Sequence, residues 1–300
     1  MPRSRDRVPA AVAALQLGIA IAALSCTPIL FRISELGPSA TSFYRTLLGV
    51  PVFMAWLAVE RRRAAGTGLR LSASWRRESL ELILASLFFA ANILAYAWAL
   101  HFTSVANASV LSNLAPIFVS LLGFLLFGER PRGGFIAAML AAIAGVALLS
   151  YGKGGAGGGS LLGDALAAGS AVLFGGYLII IARLRQRLAA PAIMIWIGTL
   201  SAIGLFACAL AAGDALLATT LRGWTVLLGL AVVSYALGQG LLAAALAHLG
   251  AAFSSIGLLS LPAISALLGW VLLGEPLGVM QAIGGVIVLG GIFLARRASR

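Results

Sequence analysis

The sequence predicts an all-α integral membrane protein of ten transmembrane helices, arranged as two inverted five-helix repeats around a central cavity. Composition carries the first part of that expectation: 61% of the 300 residues are apolar, 10% are charged, and the mean hydropathy is +1.04. Apolar runs of about 20 residues are long enough to cross a bilayer core of roughly 30 Å. A repeated motif carries the rest. Pro116, Gly123, Gly128, Glu129 and Gly145 recur as Pro262, Gly269, Gly274, Glu275 and Gly291, each pair 146 residues apart, the mark of an internal repeat. Five spans per half is an odd number, so the second half enters the membrane from the opposite side.

The spans are placed at 10–31, 39–59, 79–100, 104–127, 133–151, 161–182, 191–212, 223–246, 251–273 and 277–295. The first follows Arg3, Arg5 and Arg7 and runs apolar to Phe31. It is too long for a cleavable signal peptide and lacks a small-x-small site followed by polar sequence, so it is kept as a span. The second contains Arg45, and the fourth and ninth carry Pro116 and Pro262. A proline inside a helix removes a backbone donor and frees a carbonyl one turn earlier, which predicts matched mid-helix kinks or hinges. In the fifth span Gly134, Ala138 and Ala142 form one small stripe and Ala137, Ala141 and Gly145 another, while Gly274, Gly278 and Ala282 begin the tenth similarly. Such stripes suit close helix contact in lipid, either within one chain or in a dimer. The run Gly152–Gly159 (GKGGAGGG) reads as a flexible linker. The organisation is thus a first repeat over 1–151, a linker at 152–160 and a second, inverted repeat over 161–300.

The formal charge of +12 comes from basic residues in short loops rather than from a nucleic-acid patch. Seventeen of the 21 Lys and Arg fall on one face: Arg3, Arg5, Arg7, Arg61–Arg63, Arg70, Arg76, Arg77, Arg130, Arg132, Arg183, Arg185, Arg187, Arg296, Arg297 and Arg300. That bias places both termini in the cytoplasm. Cys26 and Cys208 lie within spans and read as small packing residues. Lys153 is at the wrong end of its Gly run for a phosphate-binding loop, and no cofactor or metal is expected.

Polar side chains deep in spans mark a pathway or an interhelical contact. They concentrate in six spans, with Ser25, Cys26 and Thr27 in the first, Asn92 and Tyr96 in the third, and Asn107, Ser109, Ser112 and Asn113 in the fourth. Tyr177 is in the sixth, Ser234, Tyr235 and Gln239 in the eighth, and Ser254, Ser255 and Ser260 in the ninth. Asn92/Tyr96, Ser109/Asn113 and Tyr235/Gln239 are i, i+4 pairs, each sharing one helix face. Amides and phenols in such stripes can hold the amino and carboxyl groups of a zwitterion, with Trp98, Phe89 or Tyr177 against an apolar side chain. The substrate-binding candidates are therefore Asn92, Tyr96, Ser109, Asn113, Tyr177, Tyr235, Gln239 and Ser255. Arg45, near the end of its span, reads as structural, with Glu35 or a helix C-terminal carbonyl as its expected partner. Glu129 and Glu275 fall on opposite sides of the membrane, cannot share a site, and read as caps of the following helices. His101 and His248 read as interfacial residues.

The paired PxxxxxxGxxxxGE motifs, Pro116–Glu129 and Pro262–Glu275, resemble the two EamA-type units of the drug/metabolite transporter superfamily, and the resemblance spans nearly the whole chain. Ala99-Leu100 matching Ala245-Leu246, and Arg45 in SFYRTLLG, support it. The resemblance implies ten helices, with the first, third, fourth, sixth, eighth and ninth lining a cavity and the fifth and tenth packed behind. It implies a bacterial inner-membrane exporter of amino acids, aromatic ones included, or of related metabolites, working as a monomer or homodimer in contact with lipid. Short four-helix multidrug relatives use a mid-membrane Glu in the first helix, where this chain has LSCTPIL. A multidrug or other metabolite carrier on the same scaffold is the alternative. An intramembrane enzyme, which needs a nucleophile with a buried base or a metal cluster, is a remote one.

Overall fold

The computed structural model describes residues 10–63, 75–102, 111–128, 132–151, 160–264, 267 and 278–298, which form helices and the turns between them. Ser109, Glu129, Glu275 and the linker 152–159 lie outside the described residues. The helices are α1 (Ala10–Ser25), α2 (Thr27–Arg32), α3 (Pro38–Leu47), α4 (Val50–Arg63), α5 (Trp75–Phe102), α6 (Ala115–Phe127) and α7 (Gly133–Tyr151). They continue with α8 (Leu161–Leu184), α9 (Ala190–Ala212), α10 (Leu221–Gly229), a π-helical stretch Leu230–Gln239, α11 (Gly240–Leu249), α12 (Ala251–Leu258) and α13 (Val279–Ala298). Among the described residues, six helices are long and apolar enough to cross a membrane: Ala11–Phe31, Pro38–Arg62, Glu78–Ala99, Leu161–Leu184, Ala190–Ala212 and Leu221–Leu249. Four further apolar helices are shorter: Ala115–Leu125, Gly133–Leu148, Ala251–Ile264 and Ala282–Gly291.

Both prolines lie where a helix is interrupted. Pro116 is in the first turn of α6, directly behind a turn at 113–114, and helix resumes over 261–264, with Pro262 at its start, behind a turn at 259–260. At a helix start the N–H that proline lacks would have no intrahelical partner in any case. Each proline therefore stands just after a two-residue interruption whose backbone stays in the αR region at Leu114 and Leu259. The two interruptions are themselves 146 residues apart, the offset of the sequence motif.

Packing follows the same pairing. α5 lies against α8, α1 against the π stretch and α11, α9 against α3 and α4, and α7 against α13. The main core is apolar and aromatic, and includes Phe53, Phe89, Tyr177, Ile193, Ile197, Tyr235 and Leu242. α7 and α13 belong to a separate cluster behind it, through Phe135, Ala138, Met139, Ala142, Val146 and Val288. Their crossing depends on two glycines at equivalent motif positions. A Cβ at Gly145 would come within 2.8 Å of the Val288 backbone nitrogen, and one at Gly291 within 2.8 Å of the Ala142 Cβ. Of the small residues in the fifth span, Ala138, Ala142 and Gly145 face this contact, while Gly134 and Ala137 are exposed.

Gly145→Leu and Gly291→Leu are expected to force these backbones apart and destabilise the protein by about 1–3 kcal/mol. Thermal unfolding in detergent checks this, with exposed Gly290→Leu, which has open space around it, as the control.

Candidate functional site

Lipid offers no hydrogen bonds, so a hydroxyl in a span turns back to its own helix or reaches another one. Many turn back. Ser42 donates to the Pro38 carbonyl, Thr46 to Ser42, Ser86 to Leu82, Ser170 to Ala167, Thr199 to Ile195 and Ser260 to Gly257. Ser255, expected in the binding set, belongs to this group, since its hydroxyl donates to the Ala252 carbonyl at 2.8 Å.

Some hydroxyls cross between helices instead, such as Ser201 to the Ser86 carbonyl at 3.0 Å, and three such contacts gather on the π stretch. The Tyr177 hydroxyl on α8 donates to Gln239 Oε1 at the end of the π stretch, at 3.2 Å. Tyr235 on that stretch donates to the Met194 carbonyl of α9 at 3.4 Å. Thr27 and Ser234 share a hydrogen bond of 2.7 Å between α2 and the π stretch. Both tyrosines are fully buried and Gln239 is 6% exposed. Aromatic rings enclose them: Phe89 is centred 5.0 Å from Tyr177 and 5.6 Å from Tyr235, and Phe53 5.3 Å from Tyr235. Tyr235 reaches this position between Gly49 and Gly198, where any Cβ would collide with its ring or hydroxyl.

On the π stretch the two polar residues of the eighth span part to different partner helices, Tyr235 to α9 and Gln239 to α8. The third-span residues part from the core as well. Tyr96 packs at the Ala99–Ala167 contact with Leu111 and Leu166, and Asn92 is half-buried on the same helix. Asn113 lies in the turn before α6. Trp98 is exposed and stacks on Phe102, so of the three aromatics expected to meet a side chain only Phe89 and Tyr177 are in the core.

The two ends of the bundle are tied differently. At one end Glu35 accepts hydrogen bonds from the Thr219 and Thr220 amides and from the Thr220 hydroxyl, at the start of α10. Asp214, in the loop before α10, accepts from the Ser39 and Ala40 amides at the start of α3, at 2.9 and 3.0 Å. Each acid thus caps a helix of the opposite half, where the N-terminal partial charge favours an anion. Glu35 is consequently not the partner of Arg45, contrary to the sequence expectation, because three donors from the α10 start already hold it. At the other end Arg187 pairs with both Glu81 oxygens at 2.8 Å, and Arg185 donates through Nε to the Ala243 carbonyl at 2.9 Å.

The EamA-like transporter family matches residues 10–151 and, separately, 161–297. The chain belongs to that family, within the drug/metabolite transporter superfamily. It is 28% identical over 268 residues to an uncharacterized transporter of Archaeoglobus fulgidus, covering 87% of this chain and 89% of that protein. A solved crystal structure superposes with a TM-score of 0.78 over 97% of this chain and 99% of its own, at 19% identity, a likeness of fold alone. The protein is accordingly a multi-pass membrane transporter of the EamA-like family.

Glu35 is held below the ordinary carboxylate value of 4.5, mainly by the Thr220 hydroxyl, against a smaller opposing effect of desolvation, with further help from the Thr220 and Thr219 amides. A carboxylate whose folded value is lowered contributes stability that is complete above its unfolded value and is lost as pH falls through the folded one. Thermal unfolding between pH 7 and acid pH is therefore expected to show a steeper loss below about pH 4.5 in the wild type than in Glu35→Gln.

Proposed function

We propose that this EamA-like transporter exports amino acids, aromatic and apolar ones included, or similar small metabolites, by alternating access. The single observation that carries the reading is the Tyr177–Gln239 hydrogen bond inside an aromatic enclosure, a buried polar contact between helices that the apolar surroundings make expensive to leave unfilled. Phenol and amide groups beside ring faces suit a zwitterion with an apolar side chain. In this reading ten helices form two inverted repeats, residues 1–151 and 161–300, joined by the linker 152–160. Support comes from the matched interruptions before Pro116 and Pro262, which would act as pivots, and from the exchange pattern of packing: α5 of the first repeat on α8 of the second corresponds to the π stretch and α11 of the second on α1 of the first.

The arginine bias puts both termini in the cytoplasm of a bacterial inner membrane. The Glu35 end of the bundle then faces outward and the Arg187 end inward. Capping at one end and ion pairing at the other would hold each entrance closed in turn.

Counterflow tests the proposal. Liposomes containing the purified protein, preloaded with unlabelled amino acids, receive a trace of labelled phenylalanine, methionine or threonine without an ion gradient. Transient accumulation is expected, with an initial rate about tenfold lower in Gln239→Leu, because an unpaired buried partner costs about 1–3 kcal/mol and 1.4 kcal/mol is tenfold. Accumulation of apolar amines and of no amino acid would move the assignment to a multidrug carrier.

A further inference from the structure

Among the described residues Arg45 has no carboxylate partner. It is 5% exposed, its Nε is buried without a hydrogen-bond partner, and no ion pair or hydrogen bond joins it to another described residue. Its guanidinium sits over the Phe31 ring, 6.0 Å from the centroid. The Tyr235 and Tyr177 side chains lie within electrostatic reach of it. One turn further along, Gly49 lies directly against the Tyr235 ring. Arg45 therefore stands at the Glu35 end of the Tyr177–Tyr235–Gln239 cluster. Among the described acids at that end, Glu35 is committed to the start of α10 and Asp214 to the start of α3, and Asp164, in the first turn of α8, is not among the groups acting on Arg45. Glu60, Glu78 and Glu81 belong to the opposite end of the bundle.

A cation buried in a membrane protein without a counter-charge is costly, and such residues mark the path of an ion or substrate. A guanidinium also presents a planar fork of donors that matches a carboxylate. Phe31 covers one side of the group, and its buried Nε has no hydrogen-bond partner.

We infer that Arg45 is the anion-binding residue of the transport site and seats the carboxylate of the substrate at the Glu35 end of the aromatic cluster. This rests on the transport reading above and narrows it. The rest of the substrate then lies among Phe53, Phe89, Tyr177 and Tyr235, whose ring faces accept an apolar side chain or an ammonium. Arg45 passes from a packing residue to the determinant that separates acids from their uncharged analogues.

The test is binding to the purified full-length protein in detergent, followed by thermal shift, with four probes of one skeleton: L-phenylalanine, L-phenylalaninamide, phenethylamine and 3-phenylpropionate. Arg45→Gln removes the charge, and Arg45→Lys keeps a cation over Phe31. The wild type is expected to bind the two carboxylates at least tenfold tighter than the amide and the amine. Arg45→Gln should lose that tenfold preference, and Arg45→Lys should retain part of it. Equal binding of acid and amide by the wild type overturns the inference. So does unchanged acid preference in Arg45→Gln, equal loss of every probe in both variants, or no carboxylate binding at all. Binding of 3-phenylpropionate without phenylalanine keeps the anion site and overturns the amino-acid assignment instead.

Discussion

Hydrocarbon supplies no hydrogen-bond partners, and the arrangement of this molecule follows from how its few polar side chains meet that constraint. Ser and Thr mostly solve it locally, by returning their hydroxyls to their own helices, so they add little to the choice of neighbour. Tyr177 and Gln239 solve it across helices, and the hydrogen bond between them joins α8 to the π stretch at the middle of the aromatic core. The close approaches that let this happen are made by glycine. Gly49 and Gly198 admit Tyr235, and Gly145 and Gly291 admit the α7–α13 crossing that backs the core.

The same economy governs the ends. Helix N-termini carry unsatisfied amides and a partial positive charge, and Glu35 and Asp214 each cap a helix of the other half instead of their own. These bonds are exposed or only partly buried, so they can break and reform without burying a charge. The Arg187–Glu81 pair at the opposite end is likewise exposed, a class of contact worth little alone and easily exchanged. Weak, reversible ties at both ends and a tightly packed centre are what a carrier that opens alternately requires.

Most of the helical layout was legible in the sequence, because apolar length is a strong signal: the span expected at 161–182 is helical over 161–184, and that at 191–212 over 190–212. Tyr177, Tyr235 and Gln239 were legible as polar residues in apolar runs. Three things were not. The turns at 113–114 and 259–260 were not placed, because a proline in a long apolar run signals a break in the helix without fixing which residues it takes. The π stretch leaves no periodic mark in an all-apolar segment, so the different helix partners of Tyr235 and Gln239 could not be read from their i, i+4 spacing. The reciprocal caps of Glu35 and Asp214 join residues 184 and 175 positions apart from their partners, a relation fixed by packing alone. That relation also removed the partner expected for Arg45.

The account's central claim is that the Tyr177–Gln239 cluster opens to one side of the membrane at a time. Pulsed electron spin distance measurements test it most directly, with labels at Ile33 and Leu217 for the Glu35 end and at Leu80 and Gln186 for the Arg187 end, in a background with Cys26 and Cys208 replaced. The account predicts two distances at each end, whose populations shift in opposite directions when phenylalanine is added to the reconstituted protein. A single distance at both ends, unchanged by any transported compound, would contradict it.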